Sequence, residues 1–287
     1  MVLTIDIGNT KTKIAVFKGK QLVEHIVVER INRKYICELT DRFGVFNNSI
    51  ISSVDADEER RVADLFGEFG LKCHLLSYQS PLPFTIDYLT PETLGKDRIA
   101  ALAGAYAVGG EGNYLVIDCG TCNTYDLLVD GHFKGGNIAP GIQMRLDAMH
   151  HFTAALPQLH IVSDWSDQSD ASDKLGKTTK TAILNGAYWG IINEINGYIE
   201  RYSKEYKNLK VILTGGLFNL QIVNISQLST LNSQLLFEPT LVPKGLNYIA
   251  NNIINTKNLE FKLYETKIDN NIAWADCVSD DDCAEQY

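Results

Sequence analysis

The sequence predicts an α/β protein of two duplicated halves, each a mixed sheet flanked by helices. Three observations carry that prediction. First, the apolar run Val2 to Ile5 ends in Asp6, and Gly8, small polar residues and a lysine lead into a second apolar run, Ile14 to Phe17. This reads as strand, tight turn, strand. Second, the layout returns at Tyr114 to Thr124: laid together without a gap, Asp6 meets Asp118, Gly8 meets Gly120, Thr12 meets Thr124 and Gly19 meets Gly131. Matching hairpins that each open a long segment indicate duplication. Third, each hairpin is followed by strands alternating with helical stretches.

The elements follow in order. Leu22 to Val28 is a third strand after the turn at Gly19, and 47–54 is a short buried strand. Ser53 or Asp55 can cap an amphipathic helix through Phe66, which Gly70 stops. Cys73 to Leu76 forms another strand, and the prolines at 81, 83 and 91 make 80–91 a loop. The alanine-rich run 92–107 suits a tightly packed helix, with Asp97 near its start, where the helix dipole favours a carboxylate. Gly109-Gly110 ends that helix, and the domain boundary is placed there: 1–110, then 111–255. The second half repeats the hairpin, continues through 132–138, and starts a helix at Ala139-Pro140-Gly141, with proline in the first turn. Residues 163–174 read as a loop, 178–206 as a long helix, and 209–214 as a strand ending at Thr214-Gly215-Gly216. Pro243 opens a final helix, 244–254. The acidic tail, 256–287, is expected to be disordered.

The 287 residues suit two modest domains or one large one, and 45% apolar content supplies a core. A net charge of -9 without a basic stripe argues against nucleic-acid binding. No apolar run has the length of a membrane span, and the N-terminus lacks the order of a signal peptide, so a cytoplasmic protein is expected. Six scattered cysteines do not make a disulfide framework. Cys119-x-x-Cys122 could be a redox pair, but it lies in a turn rather than at a helix start, and buried small residues fit better.

The chemistry centres on the turns. Gly8 leaves room beside the main chain, and successive N–H groups in such a turn form an anion-binding concavity. Asp6 is placed to hold a hydrated cation, while Thr10, Thr12 and Lys13 can donate to phosphate oxygens. Alone, this segment reads equally as an ordinary polar hairpin. Two such turns, closing on one nucleotide from both sides, favour phosphate binding.

Six motifs now stand in order: Asp6-Ile7-Gly8-Asn9-Thr10, Gly95-Lys96-Asp97-Arg98, Asp118-Cys119-Gly120-Thr121, 135–141 with its paired glycines, 176–179, and Thr214-Gly215-Gly216. In these the chain resembles the type III pantothenate kinases, of the actin/hexokinase-like (ribonuclease H-like) superfamily, from Met1 to about Asn255. The resemblance implies transfer of the ATP γ-phosphoryl group to pantothenate, the first step toward coenzyme A. It implies Mg²⁺, a monovalent cation (K⁺ or NH₄⁺) and a homodimer with the acceptor pocket near its interface. It further implies that Asp6, Ile7, Gly8, Asn9, Thr10, Lys11, Thr12 and Lys13 form the first phosphate loop, that Thr121 touches ATP, and that Asp118 holds the monovalent cation. Asp97 becomes the proton acceptor, and Tyr88, Gly95, Lys96, Asp97, Arg98 and Thr179 the pantothenate contacts.

Plainer readings stand beside these. Asp97 and Arg98 could be a helix-end ion pair. Asp118 could cap its turn, Tyr88 could be packing, and Thr179 could bind only its own helix start. Lys96, beside the motif, could be solvated. His150 and His151 are adjacent on a helix and do not share a face, which argues against a metal site. A sugar or acetate kinase, a nucleotide-sensing regulator and an actin-like structural protein are the competing functions. Cys122 stands where the family often has a smaller residue.

Overall fold

A computed structural model describes residues 1–46, 48–165, 175–219, 228 and 234–253. The first hairpin pairs β1 (Val2–Ile7) with β2 (Thr12–Lys18), and β3 (Gln21–Val28) follows antiparallel. Two parallel strands, β4 (Asn48–Ser53) and β5 (Cys73–Leu75), complete the first sheet in the order β3-β2-β1-β4-β5. The second half contributes β7 (Tyr114–Cys119), β8 (Cys122–Val129), β9 (His132–Pro140), β10 (Lys210–Thr214) and β11 (Gln234–Phe237). Their order, β9-β8-β7-β10-β11, repeats the first sheet strand for strand, with the same pattern of antiparallel and parallel pairs. One short strand, β6 (Thr85–Ile86), adds to the β9 edge.

The duplication therefore extends beyond the hairpins, but the gapless register does not. Asp6 pairs with Lys13, whereas Asp118 pairs with Thr124. The second turn is one residue shorter, so Thr124 stands where Lys13 stands, and Asn123 corresponds to Thr12. The next turns shift likewise: Gly19-Lys20 corresponds to Asp130-Gly131. Asp130 and Gly131 both have positive φ (50° and 75°), the mark of a type I′ hairpin turn, whereas only Gly19 does so in the first copy.

Helices α1 (Arg33–Phe43) and α2 (Ala56–Glu68) cover one face of the first sheet. The sequence reading passed over α1, which buries only Ile36 and Leu39 fully and packs Tyr35 and Phe43 partly against the same core, though Asn32 caps it by accepting from the Tyr35 N–H. Asp55 is the cap of α2, accepting from the N–H groups of Asp57 and Glu58. A 3₁₀ turn at Pro91–Thr93 precedes α3 (Lys96–Gly109), which stops at Gly110 with φ 69°.

Helix α4 (Ile142–His151) starts later than expected, because Pro140 is still in β9, paired with Cys122. Proline fits there because the strand ends with it. A short α5 (Ile161–Trp165) lies where a loop was expected from 163, and 166–174 fall outside the described residues. Helix α6 (Thr179–Glu205) buries Ile183, Leu184, Ile191, Ile192, Ile195 and Ile199 against the outer face of the second sheet. Each such side chain contributes about 1.5–3 kcal/mol of burial. A single turn, α7 (Gly216–Asn219), follows β10. The last helix, α8, covers residues 241–253 and so begins before Pro243, which sits in its first turn, where no N–H is required. The expected tail falls outside the described residues.

The centre of the molecule is a layer of α3 and α8 between the two sheets. Their buried residues join Val2, Phe17 and Ile50 of the first sheet with Tyr114, Val116 and Phe133 of the second. The small residues of α3 serve this crossing: a side chain at Gly104 or Gly245 would overlap Leu241 or the Ala100 carbonyl. We propose residue 110 as the midpoint of the duplication, with β6 and α8 exchanged across it. No helix among the described residues is long and apolar enough to cross a membrane.

Candidate active site

Both acidic turns lie at the same end of the central layer and face each other. The Gly8 N–H donates to the Lys11 carbonyl at 3.1 Å, and the Gly120 N–H donates to the Cys122 carbonyl at 3.1 Å. Between them the hydroxyls of Thr10 and Thr121 are 3.3 Å apart. Ile7 and Thr12 are buried beneath the first turn, while Asn9, Thr10 and Lys11 are exposed on it. Lys11 reaches back to Glu29 at 3.5 Å. A cavity of about 310 Å³ opens beside this turn, lined by Gly8, Asn9, Thr10, Arg30 and Asp55 among others. A larger one, about 570 Å³, lies at the opposite end of α3 beside Gly19, Ala107 and Tyr248, away from the acidic turns.

The second turn is packed from behind. Gly141, the residue before α4, donates its N–H to the Thr121 carbonyl at 3.1 Å, and any side chain there would overlap Gly120 and Thr121. The start of α4 therefore abuts the turn, where its unpaired N–H groups favour negative charge. Gly215, φ 103°, plays the matching part at the end of β10: a side chain would come within 2.5 Å of the Asp118 carboxylate and the Cys119 carbonyl.

Three aspartates surround one lysine. Asp6 is 5% exposed, and Lys13, its cross-strand neighbour, places Nζ 3.4 Å from Asp6 Oδ2. Burial raises the Asp6 pKa, Lys13 offsets part of this, and Asp97 raises it further. Asp118, one residue before the end of β7, stays partly exposed. Desolvation pushes its pKa up to about 6, against the pull of Lys13 and with the repulsion of Asp97 and Asp6. Burial disfavours the Lys13 ammonium, yet Asp6, Asp118 and Asp97 hold its pKa above the ordinary value. The site is thus short of positive charge. A cation held by Asp6 and Asp118 fits that deficit, and a hydrated one needs only one or two carboxylates. Among the described residues no cluster of three His, Cys, Asp or Glu forms a self-contained metal site.

Asp97 stands in the first turn of α3, half-buried, and its Oδ1 accepts the Arg98 N–H at 2.9 Å. A side chain at Gly95 would meet that same oxygen at 2.5 Å. Asp97 and Arg98 do not form a helix-end ion pair. The Arg98 guanidinium turns to Asp126 instead, with Nε 2.9 Å and Nη2 2.5 Å from Oδ1. Arg98 is 4% exposed and Asp126 is fully buried, so the fork that could have met a ligand anion is already committed. Burial pushes the Asp126 pKa up to about 6, with Arg98 pulling it down. The Tyr88 ring lies 5.7 Å from the guanidinium carbon and stacks on Phe133 at 5.9 Å.

Lys96 is only partly exposed and is ion-paired. Its Nζ bridges both oxygens of the buried Glu59 on α2, at 2.7 and 2.6 Å. Thr179 opens α6 and is exposed, and no hydrogen bond among the described residues links it to Tyr88, Asp97 or Arg98. Its neighbours Thr178 and Thr181 form the capping box there. Cys119 and Cys122 are both free thiols; burial pushes the Cys119 pKa well up. His150 is bonded to the Leu156 carbonyl at 2.7 Å.

Sequence reasoning missed Asp126, Phe133 and Glu59. For Asp126 a signal existed: it lies two residues beyond Thr124 on one strand, and so shares the face that Thr124 presents beside Asp118.

Comparison with known proteins bears on most of the chain. A family model described as type III pantothenate kinase matches residues 2–201. The type III pantothenate kinase of Flavobacterium johnsoniae is 35% identical over 240 residues, covering 83% of this chain and 95% of the relative. That of Bacteroides fragilis is 36% identical over 252 residues, covering 88% and 98%. A solved structure of a Baf family protein from Campylobacter jejuni superimposes with a TM-score of 0.54 at 20% identity, covering 88% of this chain and 99% of that one, which speaks for the fold alone. The architecture is a duplicated α/β fold, with two mixed sheets of matching strand order flanked by helices. With this fold, the two facing Asp-x-Gly turns and that extent of similarity, the chain belongs to the type III pantothenate kinase family.

Proposed function

We infer that the protein transfers the γ-phosphoryl group of ATP to the primary hydroxyl of pantothenate, giving 4′-phosphopantothenate for coenzyme A synthesis. The observation that carries this reading is the Asp6–Lys13 pair at 3.4 Å, within electrostatic reach of Asp97 and Asp118 and beside two turns whose Thr10 and Thr121 hydroxyls are 3.3 Å apart. Phosphoryl transfer is achieved mainly by positioning and charge neutralisation. Main-chain N–H groups of both turns other than those of Gly8 and Gly120, which are bonded within the turns, bind the phosphate oxygens with the Thr10 and Thr121 hydroxyls, and Lys13 neutralises them. Asp97 orients the acceptor hydroxyl. The oxygen–phosphorus bond to the acceptor forms as the bridging bond to ADP breaks, and Asp97 takes the proton late, once bond formation has acidified it. Mg²⁺, when bound through Asp6, supplies further charge to the phosphates.

Several finer assignments belong to this reading. Asp118 holds a monovalent cation, K⁺ or NH₄⁺. Tyr88, Gly95 and Arg98 line the acceptor side, and Thr179 completes it from the subunit interface of a homodimer. Support for self-association comes from apolar side chains left exposed on β9 and along α4: Ile138 is 62%, Met144 39% and Phe152 81% exposed. The protein is placed in the cytoplasm, with no nucleic-acid or membrane partner.

The test is formation of phosphopantothenate from ATP and pantothenate, with and without Mg²⁺ and with K⁺, NH₄⁺ or Na⁺. ATP-dependent product that requires Mg²⁺ and rises with K⁺ or NH₄⁺ is expected. ADP release that prefers a sugar or acetate would overturn the substrate assignment. Light scattering on the eluted protein tests the dimer.

A further inference from the structure

The Arg98–Asp126 pair is unusual in its position. Both side chains are removed from water, Arg98 at 4% and Asp126 at 0% exposure. Such a pair is a weak source of stability, because desolvating two charges costs about as much as their attraction returns. Its geometry suggests another role. Asp126 lies on β8, the immediate neighbour of the strand that carries Asp118. Arg98 lies in the first turn of α3, one residue after Asp97, and its own N–H holds the Asp97 carboxylate at 2.9 Å. The pair is therefore a strut from the rigid second sheet to the helix turn that carries the proton acceptor.

The surroundings are shaped for that strut. A side chain at Gly136 would overlap both the Asp126 carboxylate and the Arg98 guanidinium. Tyr88 and Phe133, stacked with only 7° between their planes, flank the guanidinium at 5.7 and 5.6 Å. Both Arg98 contacts fall on one oxygen of Asp126, while Oδ2 is buried without a hydrogen-bond partner. A pair selected for binding strength alone would engage both oxygens side by side.

We propose that Asp126 is a positioning residue, which acts through Arg98 to fix the Asp97 carboxylate and the Tyr88 side of the acceptor pocket. The proposal rests on the functional reading above. Asp126 touches neither nucleotide nor acceptor, and its loss is felt on one substrate only.

The experiment compares wild type with Asp126→Asn, Arg98→Met and the double variant in steady-state assays of phosphopantothenate formation. For Asp126→Asn the expected result is a kcat lowered about 10²-fold, the scale of a small misplacement, and a pantothenate KM raised roughly 10-fold. The ATP KM stays within about twofold of wild type, the spread within which a site counts as unperturbed. The double variant should lose no more than Arg98→Met alone, because the two residues act as one unit. Equal changes in both KM values, or additive losses in the double variant, overturn the proposal. So does a lowered melting temperature with unchanged kinetics. Should Asp126→Asn not fold, Arg98→Met/Asp126→Leu replaces the pair with apolar side chains of similar volume, and near-normal kcat and pantothenate KM in that variant overturn it equally. A wild type that does not phosphorylate pantothenate refutes the functional reading and the proposal with it. An active wild type beside an Asp126→Asn variant with unaltered pantothenate KM refutes the proposal alone.

Discussion

Asp118→Asn is expected to make the nucleotide-free protein more stable at neutral pH while removing its activity. The reason lies in the desolvation that pushes the Asp118 pKa up to about 6. In the unfolded chain the carboxyl titrates near about 4. Between those values the folded protein holds a proton that the unfolded chain has released, so stability rises as pH falls from about 6 toward 4 and is lost as pH climbs through 6. Two pH units at about 1.4 kcal/mol each give roughly 3 kcal/mol for a fully enclosed group. Asp118 remains partly exposed, and water there reduces the figure to about 1–3 kcal/mol. The amide carries no such cost at pH 7.5, so the variant should melt about 2–10 °C higher than wild type there. Its stability should also vary less between pH 5.5 and 7.5, with Asp126 and Asp6, both also pushed up by burial, left to titrate. Thermal unfolding at three pH values, without nucleotide or divalent ions, measures this. A variant that melts at or below the wild-type temperature at pH 7.5 would refute the reasoning, because it would mean that ionised Asp118 is not held at a cost. Bound cations and nucleotide should stabilise wild type more than the variant, since the deficit of positive charge is what they relieve.

Asp97→Asn should lower kcat by about 10²–10⁴-fold with little change in melting temperature, the usual scale for a positioned proton acceptor; near-normal turnover would remove it from that role. Gly136→Ala should destabilise the fold by about 2–3 kcal/mol or more, because the added methyl must displace a buried ion pair; urea unfolding measures it, and a neutral result would mean that β9 can move aside. Lys96→Met should cost about 1–3 kcal/mol by leaving Glu59 buried without its cation, with the pantothenate KM unchanged. A KM raised about tenfold would instead return Lys96 to the acceptor pocket.

The sequence by itself determined the elements whose cause is local. An apolar run ended by Asp-x-Gly makes a strand and a turn wherever it lies, so both hairpins and their duplication were legible in the chain, and Asp6, Lys13, Asp97 and Asp118 could be named as candidates from it. The end of α3 at Gly110 was legible as well, and the α2 cap was narrowed to Ser53 or Asp55, of which Asp55 is the one that accepts from the helix start, because each acts on neighbouring backbone. Register across the shorter second turn was not, since one residue fewer at 120–121 changes no local preference but moves Thr124 opposite Asp118. Partner choice was decided only by the tertiary structure. Arg98 had an aspartate beside it in sequence, yet the helix turn directs its guanidinium to Asp126, twenty-eight residues on, and Lys96 reaches Glu59 across a helix boundary. Propensity fixes what each segment becomes. Long-range packing fixes which charges meet, because the free energy of a buried charge depends on what else the fold has brought within a few ångströms of it.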